Sequence, residues 1–330
     1  MPLPAKLNRL LYNFRTYAWM VDPRRFLPKG KAPIDRPIFL LGTQGGGLTL
    51  LSRMLRRHPD AISVAGNSRY WTASDEMQNV LGLILPFELS GVRYNAPPHP
   101  KFPPPRGWSY AGKDLFPLYR KQAEDATPEI AKALKDAIRL AMKRHGKGRF
   151  VDKSQSFSVR VGLIYEVLKD CDPRFVLVPR DPYVSVYRAA QGKPADMARI
   201  VDSVAYPERV QVCAEHYANS MRSVIEDGER HHLPIHLLRF EDLLNDPRAK
   251  LQEVCDFVDL PFREDMLPAA HHRLPMGSRY LDRWYPIKPN INQGYAIDDL
   301  TIETVNRCCG DDLLQRLGYA QRSPGEKSHG

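Results

Sequence analysis

The sequence predicts an α/β fold with a central, mostly parallel sheet flanked by helices. Three observations carry this. An apolar run, Ile38 to Leu41, meets a glycine turn and then a helical pattern that starts near Leu48. "PRFVLVPRDPYVSVYRAA" repeats that strand–turn–helix order, with Phe175 to Val178 as its strand. Short apolar runs then go on alternating with helical patterns to the end of the chain.

Residues 1–36 read as a basic N-terminal arm and linker. Leu7, Leu10, Leu11, Phe14, Tyr17 and Trp19 are interleaved there with Lys6, Arg9 and Arg15. Such an amphipathic helix suits the surface of an anionic membrane, or packs on its own domain. Its interrupting charges do not suit a secretory signal. Residues 37–320 form the main domain. In its first helix Leu48, Leu51, Met54 and Leu55 share one face, and Thr49, Ser52, Arg53 and Arg56 the other. Asn95 to Trp108 carries six prolines and is a loop. A helix over 128–145 and a strand over 149–151 follow. Asp181 and Pro182 are placed as N-cap and first residue of the next helix. A long helix over 207–227, a strand over 235–238 and two further helices complete the fold. Residues 321–330 read as a disordered tail.

Composition sets the outer bounds. The 330 residues are 43% apolar and 26% charged, ordinary for a globular chain. A net charge of +10 fits a solvated basic surface, an anionic ligand, an acidic surface or nucleic acid. No apolar run reaches the roughly 18–20 residues of a membrane span. The five cysteines include no C-x-x-C pair, so free thiols in a reducing cytoplasm are expected, and no metal site.

"GTQGGGLTLL", Gly42 to Leu51, is the chemical signal. Glycines 42, 45, 46 and 47 allow backbone conformations closed to other residues and let a ligand approach the chain. Exposed N–H groups at a helix N-terminus then form a nest for an anion. Gly42 to Gly47 has the glycine spacing of a P-loop, and Thr49 stands at its Ser/Thr position. Leu48 stands where the phosphate-reaching lysine belongs, which argues against ordinary ATP or GTP hydrolysis.

From these residues on, the chain resembles the sulfotransferases that use 3′-phosphoadenosine-5′-phosphosulfate (PAPS). Their loop reads G-x-x-R-S-G-T-T-L-L, and this chain matches it at Gly42, Gly47, Thr49, Leu50 and Leu51. Gly45 replaces the family's basic residue, Gly46 its serine and Leu48 its first threonine. "VDKSQSF", "FVLVPRDPYVSVYR" and "LLRFEDLLNDPRAKLQEVCDFVDLPF" resemble the next three family motifs in order, and "LLQRLGY" fits its ending. The resemblance implies a P-loop-like sheet, PAPS as donor, the product 3′-phosphoadenosine-5′-phosphate (PAP), no metal, and an acceptor with a free hydroxyl, such as a glycan or lipid. It places the 5′-phosphosulfate on Gly42, Thr43, Gln44, Gly45, Gly46, Gly47, Leu48 and Thr49. It places the 3′-phosphate on Arg180, with Ser185 and Arg188 as further candidates, since Arg188 takes the family's serine position. A cytoplasmic protein that binds no nucleic acid is expected, with peripheral membrane contact through the arm.

Sulfuryl transfer needs a base for the acceptor proton and cations for the charge that builds as the S–O bond breaks. The resemblance puts the base after the first helix, in "AGNSRYWTASDEMQN", where Glu76 and Asp75 are the only carboxylates. Glu76 is the candidate base and Asp75 the second. A helix beginning near Ser74 with two acids in its first turn is the plainer reading of the same residues. Arg69, Tyr70 and Trp71 suit a sugar or aryl acceptor, or core packing. His58 sits in an "HP" pair that is generally structural in the family. Lys153, at the carboxyl end of a strand, is the candidate cation that Gly45 does not supply. Two other readings stand beside this one: a non-catalytic binder of a polyanion or membrane surface, and a divergent nucleotide-dependent kinase.

Overall fold

The computed structural model describes residues 33–64, 76–80, 85–86, 88–89, 109–145, 148–193, 201, 203–268 and 288–325. The N-terminal arm, the proline-rich stretch at 95–108 and Arg69, Tyr70, Trp71 and Asp75 lie outside them. Among the described residues, five strands form one parallel sheet in the order β2-β3-β1-β4-β5. They are β1 (Ile38–Leu41), β2 (Ala61–Ile62), β3 (Arg149–Asp152), β4 (Arg174–Leu177) and β5 (Ile235–Leu237). The helices are α1 (Leu48–Leu55), α2 (Met77–Val80), α3 (Phe116–Tyr119), α4 (Pro128–His145) and α5 (Val161–Leu168). They continue with α6 (Pro182–Ala190), α7 (Tyr206–Arg230), α8 (Phe240–Asn245), α9 (Pro247–Phe257) and α10 (Asp299–Arg316).

The strands are apolar at successive positions because both faces of the sheet are covered. Ile38 and Leu40 of β1, with Val151 and Val176, face a core built with α1, α8 and α9. Phe39 and Leu41, with Phe150, Phe175 and Leu177, face the larger core under α4, α5, α7 and α10. The two-residue alternation of a strand thus divides each run between two cores. Phe39 stacks on Phe175 across the β1–β4 pair, ring centroids 5.7 Å apart.

Several helix starts follow their sequence signals. The Asp181 carboxylate accepts the Val184 N–H at 3.0 Å, with Pro182 as first residue of α6. Asp246 caps α9 and Asp298 caps α10 in the same way. Arg53 and Arg56, on the polar face of α1, are each only 5% exposed. Other expectations are corrected. α2 begins at Met77, with no acid in its first turn, so Glu76 precedes the helix. β2 and α5 had no recognised signal; β2 is two residues long, too short to show a period. Part of the expected disordered tail is docked: Arg322 donates through Nη2 to Asp181 at 2.7 Å and through its N–H to the Tyr183 hydroxyl at 2.9 Å.

A buried ion pair ties the helical layer together. Asp227, near the end of α7, is 0% exposed. Its carboxylate accepts Arg120 Nη1 at 2.8 Å, Arg120 Nη2 at 2.5 Å and the Gly162 N–H of α5 at 2.8 Å. Removing one member strands the other in low dielectric. Asp227→Ala is therefore expected to cost about 3–5 kcal/mol, read as a drop in the midpoint of urea unfolding at unchanged slope.

Candidate functional site

In parallel α/β sheets, ligands bind at the carboxyl ends of the strands where chain direction divides. β1 lies between β3 and β4, so the segments after all three strands meet at that edge. The loop after β1 is built to leave donors open. Gly42, Gly45 and Gly47 have φ of 152°, 78° and 95°, a region that favours glycine. Gly46 is not in that region; a Cβ there would sit 3.0 Å from the Thr43 carbonyl oxygen, which accepts the Gly46 N–H at 3.1 Å. Gly47 is the N-cap of α1 and offers no side-chain cap. Among the described residues, no protein acceptor takes the N–H groups of Gly45, Gly47 or Leu48. These are the donors that an anion at a helix N-terminus would use.

The flanking residues have distinct places. Thr43 is buried, Gln44 and Thr49 are half-buried, and Gly45 is exposed. Leu48 is 3% exposed and belongs to the α1 core, so it points away from any work a lysine would do. The Gly42 N–H donates to Ser158 Oγ at 2.8 Å, which ties the loop to the segment after β3.

After β4, Arg180 turns onto the glycine loop. Its Nη1 donates to the Gly45 carbonyl at 2.9 Å and its Nε to Asn292 Oδ1 at 2.8 Å. Its guanidinium lies over the Phe240 ring, 5.0 Å from the centroid. The same ring abuts Gly47, where any Cβ would collide with it. Glu241, next in sequence, accepts the Asp181 N–H at 3.0 Å and the Tyr319 hydroxyl at 2.7 Å, and it also takes a bond from Asn292. The other two candidates stand further off. Ser185 Oγ donates to the Arg180 carbonyl at 3.5 Å, and Arg188 lies over Tyr295 at 5.8 Å. Neither bonds to the glycine loop among the described residues.

After β3, Lys153 and Glu76 are brought together. Lys153 Nζ donates to Glu76 Oε1 at 2.6 Å, with side chains 4% and 11% exposed. Gln155 Nε2 donates to the same oxygen at 3.0 Å and Gln78 Nε2 to Oε2 at 3.1 Å. Asp152, also buried, accepts the Met77 N–H at 2.8 Å and the Ser154 N–H at 2.9 Å, so β3 itself holds the Glu76 segment in place. Gln78, Gln155, Asn292 and Phe240 were not recognised in the sequence. Gln155 lies inside "DKSQSF", but an isolated Gln or Asn has no spacing that marks it. His58 caps a turn: its Nδ1 accepts the Asp60 N–H at 3.1 Å, and burial lowers its pKa. Among the described residues, no group of His, Cys, Asp and Glu could hold a metal ion. No helix there is long and apolar enough to cross a membrane.

Residues 37–264 match the model of the Sulfotransferase family. That span is well over half of the 330 residues, and the chain belongs to this family. No curated protein sequence matches the chain. Among solved structures, it resembles the sulfotransferase domain from the curacin biosynthetic pathway, with a TM-score of 0.50 at 15% identity over 88% of this chain and 100% of that one. Sulfotransferase STF9 from Mycobacterium avium gives a TM-score of 0.49 at 17% identity, over 78% and 72% of the two chains. At such identities the likeness concerns the fold.

Burial dominates Asp152 and raises its carboxyl to about 6, against the two N–H bonds that favour the charged form. The folded state therefore binds a proton more tightly than the unfolded chain, and the group's contribution to stability falls as pH rises from about 4 to about 6. Asp152→Asn should gain on wild type by about 3 kcal/mol over that interval, at roughly 1.4 kcal/mol per pKa unit. Paired urea titrations at pH 4 and pH 6.5 measure the difference.

Proposed function

We propose that this chain transfers a sulfuryl group from PAPS to a hydroxyl of a carbohydrate, lipid or small-molecule acceptor. The observation that carries this reading is the open N–H nest at Gly45, Gly47 and Leu48, set beside Arg180, in a chain of the sulfotransferase family. The residues fit the donor. A cradle without Cβ atoms at 42 and 45–47 suits a 5′-phosphosulfate, with Thr43, Gln44 and Thr49 around it. Arg180 is assigned to the 3′-phosphate, with Ser185 and Arg188 further along α6. The bound donor supplies an activated sulfuryl group and PAP as leaving group.

The chain's own residues then have these tasks. Glu76 takes the acceptor's hydroxyl proton as the acceptor oxygen bonds to sulfur. Lys153 stabilises the negative charge that develops on the bridging oxygen as the S–O bond to phosphate breaks. Among the described residues, Lys153, Gln155 and Gln78 donate to the Glu76 carboxylate and hold it in place. Asp75 is the second candidate for this task. Gly45 lacks the family's basic side chain, and its φ of 78° disfavours one. Lys153, at the end of β3, stands in for it.

Thermal-shift measurements with PAP, with ATP–Mg and with inorganic sulfate test the reading. Selective stabilisation by PAP is expected. Stabilisation by ATP–Mg alone would make the chain a kinase, and none by any of the three would leave a non-catalytic binder. Arg180→Ala is expected to weaken PAP much more than adenosine-5′-phosphosulfate, which has no 3′-phosphate; calorimetry that finds equal losses removes Arg180 from that role. Lys153→Ala is expected to lower kcat by roughly 10²-fold, the scale of one preorganised electrostatic group, with a smaller change in donor affinity. Normal turnover in this variant would dismiss Lys153 from the chemistry.

A further inference from the structure

A second buried cation stands behind the Glu76–Lys153 pair. Arg160, between a 3₁₀ turn at Gln155–Val159 and α5, is 0% exposed. Its Nε donates to the Tyr119 carbonyl at 3.2 Å and its Nη1 to Ser156 Oγ at 3.3 Å, while Nη2 has no partner. Its guanidinium lies over the Tyr119 ring at 5.2 Å. Among the described residues, no carboxylate is within ion-pair distance of it. Burial lowers its pKa to about 10, so it stays charged at neutral pH. A buried cation without a contacting counter-ion is costly, and packing alone does not require one at this position.

The bonds running from it have one direction. Arg160 donates to Ser156 Oγ, and that hydroxyl donates to Gln78 Oε1 at 2.5 Å. The Gln78 amide in turn donates to Glu76 Oε2 at 3.1 Å. Each link passes the polarisation of the guanidinium on toward the carboxylate, and bonds aligned in this way strengthen one another. Lys153 meets the other oxygen of the same carboxylate. Glu76 is thus held between two cations, one in contact and one acting through two neutral side chains. Among the described residues, Asp152 of β3 and the buried Tyr110 hydroxyl, whose pKa burial raises, also lie near Glu76, and the Glu88 carboxylate acts on Arg160.

We propose that Arg160 is a positioning residue: acting through Ser156 and Gln78, it holds Glu76 ionised and aimed at Lys153. The proposal rests on the roles given above to Glu76 and Lys153. The bland function of Arg160 is to tie the Tyr119 carbonyl to the 3₁₀ turn, and the two differ in what Glu76 reports.

The test follows the Glu76 carboxyl directly in protein carrying ¹³C at the glutamate Cδ. Its resonance is identified by its loss in Glu76→Gln. In Arg160→Met the Glu76 midpoint is expected to rise by about one pKa unit, the scale for losing a nearby opposite charge. Ser156→Ala breaks the chain while leaving the guanidinium in place, and a smaller rise is expected. Arg160→Lys should restore part of the shift. Unchanged Glu76 midpoints in Ser156→Ala and Arg160→Met overturn the proposal, whatever happens to thermal stability. Should Arg160→Met fail to fold, Ser156→Ala decides alone: a raised midpoint supports the relay and an unchanged one ends it. The measurement needs no donor. Failure of PAP to stabilise the wild type would therefore sink the sulfuryl-transfer reading without touching this one, and the reverse also holds.

Discussion

The site depends on Gly47 having no side chain. The Phe240 ring occupies the space where a Cβ would stand, and Arg180 lies on that same ring. One aromatic side chain from the segment after β5 therefore sets the height of the helix N-terminus and the plane of the guanidinium together. The Arg180 bond to the Gly45 carbonyl closes the arrangement. With positive φ at Gly45 and Gly47, the N–H groups of Gly45, Gly47 and Leu48 have no protein acceptor among the described residues, while the Gly46 N–H bonds to the Thr43 carbonyl. Conformational freedom, which costs entropy elsewhere in a chain, is here what allows backbone donors to converge on one point.

Sheet order does the rest of the gathering. With β1 between β3 and β4, the glycine loop, Lys153 and Arg180 all leave the same edge. Each is anchored by a different device. The loop is pinned by Ser158 on Gly42, Lys153 by Glu76, and Arg180 by Asn292 and the Phe240 ring. Glu241 locks the third of these, since it joins the Asp181 N–H, Asn292 and Tyr319 around one carboxylate. Preorganisation of this kind lets charged groups act on a reacting centre without reorganising first.

Charge is distributed differently here from the family pattern, which the loop matches at Gly42, Gly47, Thr49, Leu50 and Leu51. The basic residue absent at position 45 would have to adopt a strained backbone, and the adjacent Leu48 is committed to the core. Positive charge stands instead on the neighbouring strand ends and, deeper, at Arg160. Two cations, Lys153 and Arg160, lie with two carboxylates, Glu76 and Asp152, in one buried polar region. Burial above all, with the neighbouring Glu76 carboxylate, pushes the Asp152 carboxyl up to about 6.

The sequence alone determined the architecture and the position of the glycine loop. Runs such as Ile38–Leu41 and Arg174–Leu177, followed by glycine or Asp-Pro turns, encode strand, turn and helix locally, and local signals survive without knowledge of neighbours. Gly42 to Thr49, Lys153 and Arg180 could be put forward as candidates from motif spacing along single segments, and Glu76 from its place after the first helix. What surrounds them could not. Gln78 meets Glu76, and Ser156 meets Gln78, where β3 pairs beside β1 and the Met77 N–H docks on Asp152. The amphipathic pattern of α1 did not show that Arg53 and Arg56 are buried, since periodicity says which residues share a face but not what covers it. Tertiary structure decided which polar groups were buried together, and with that which charge each carboxylate and each guanidinium must answer.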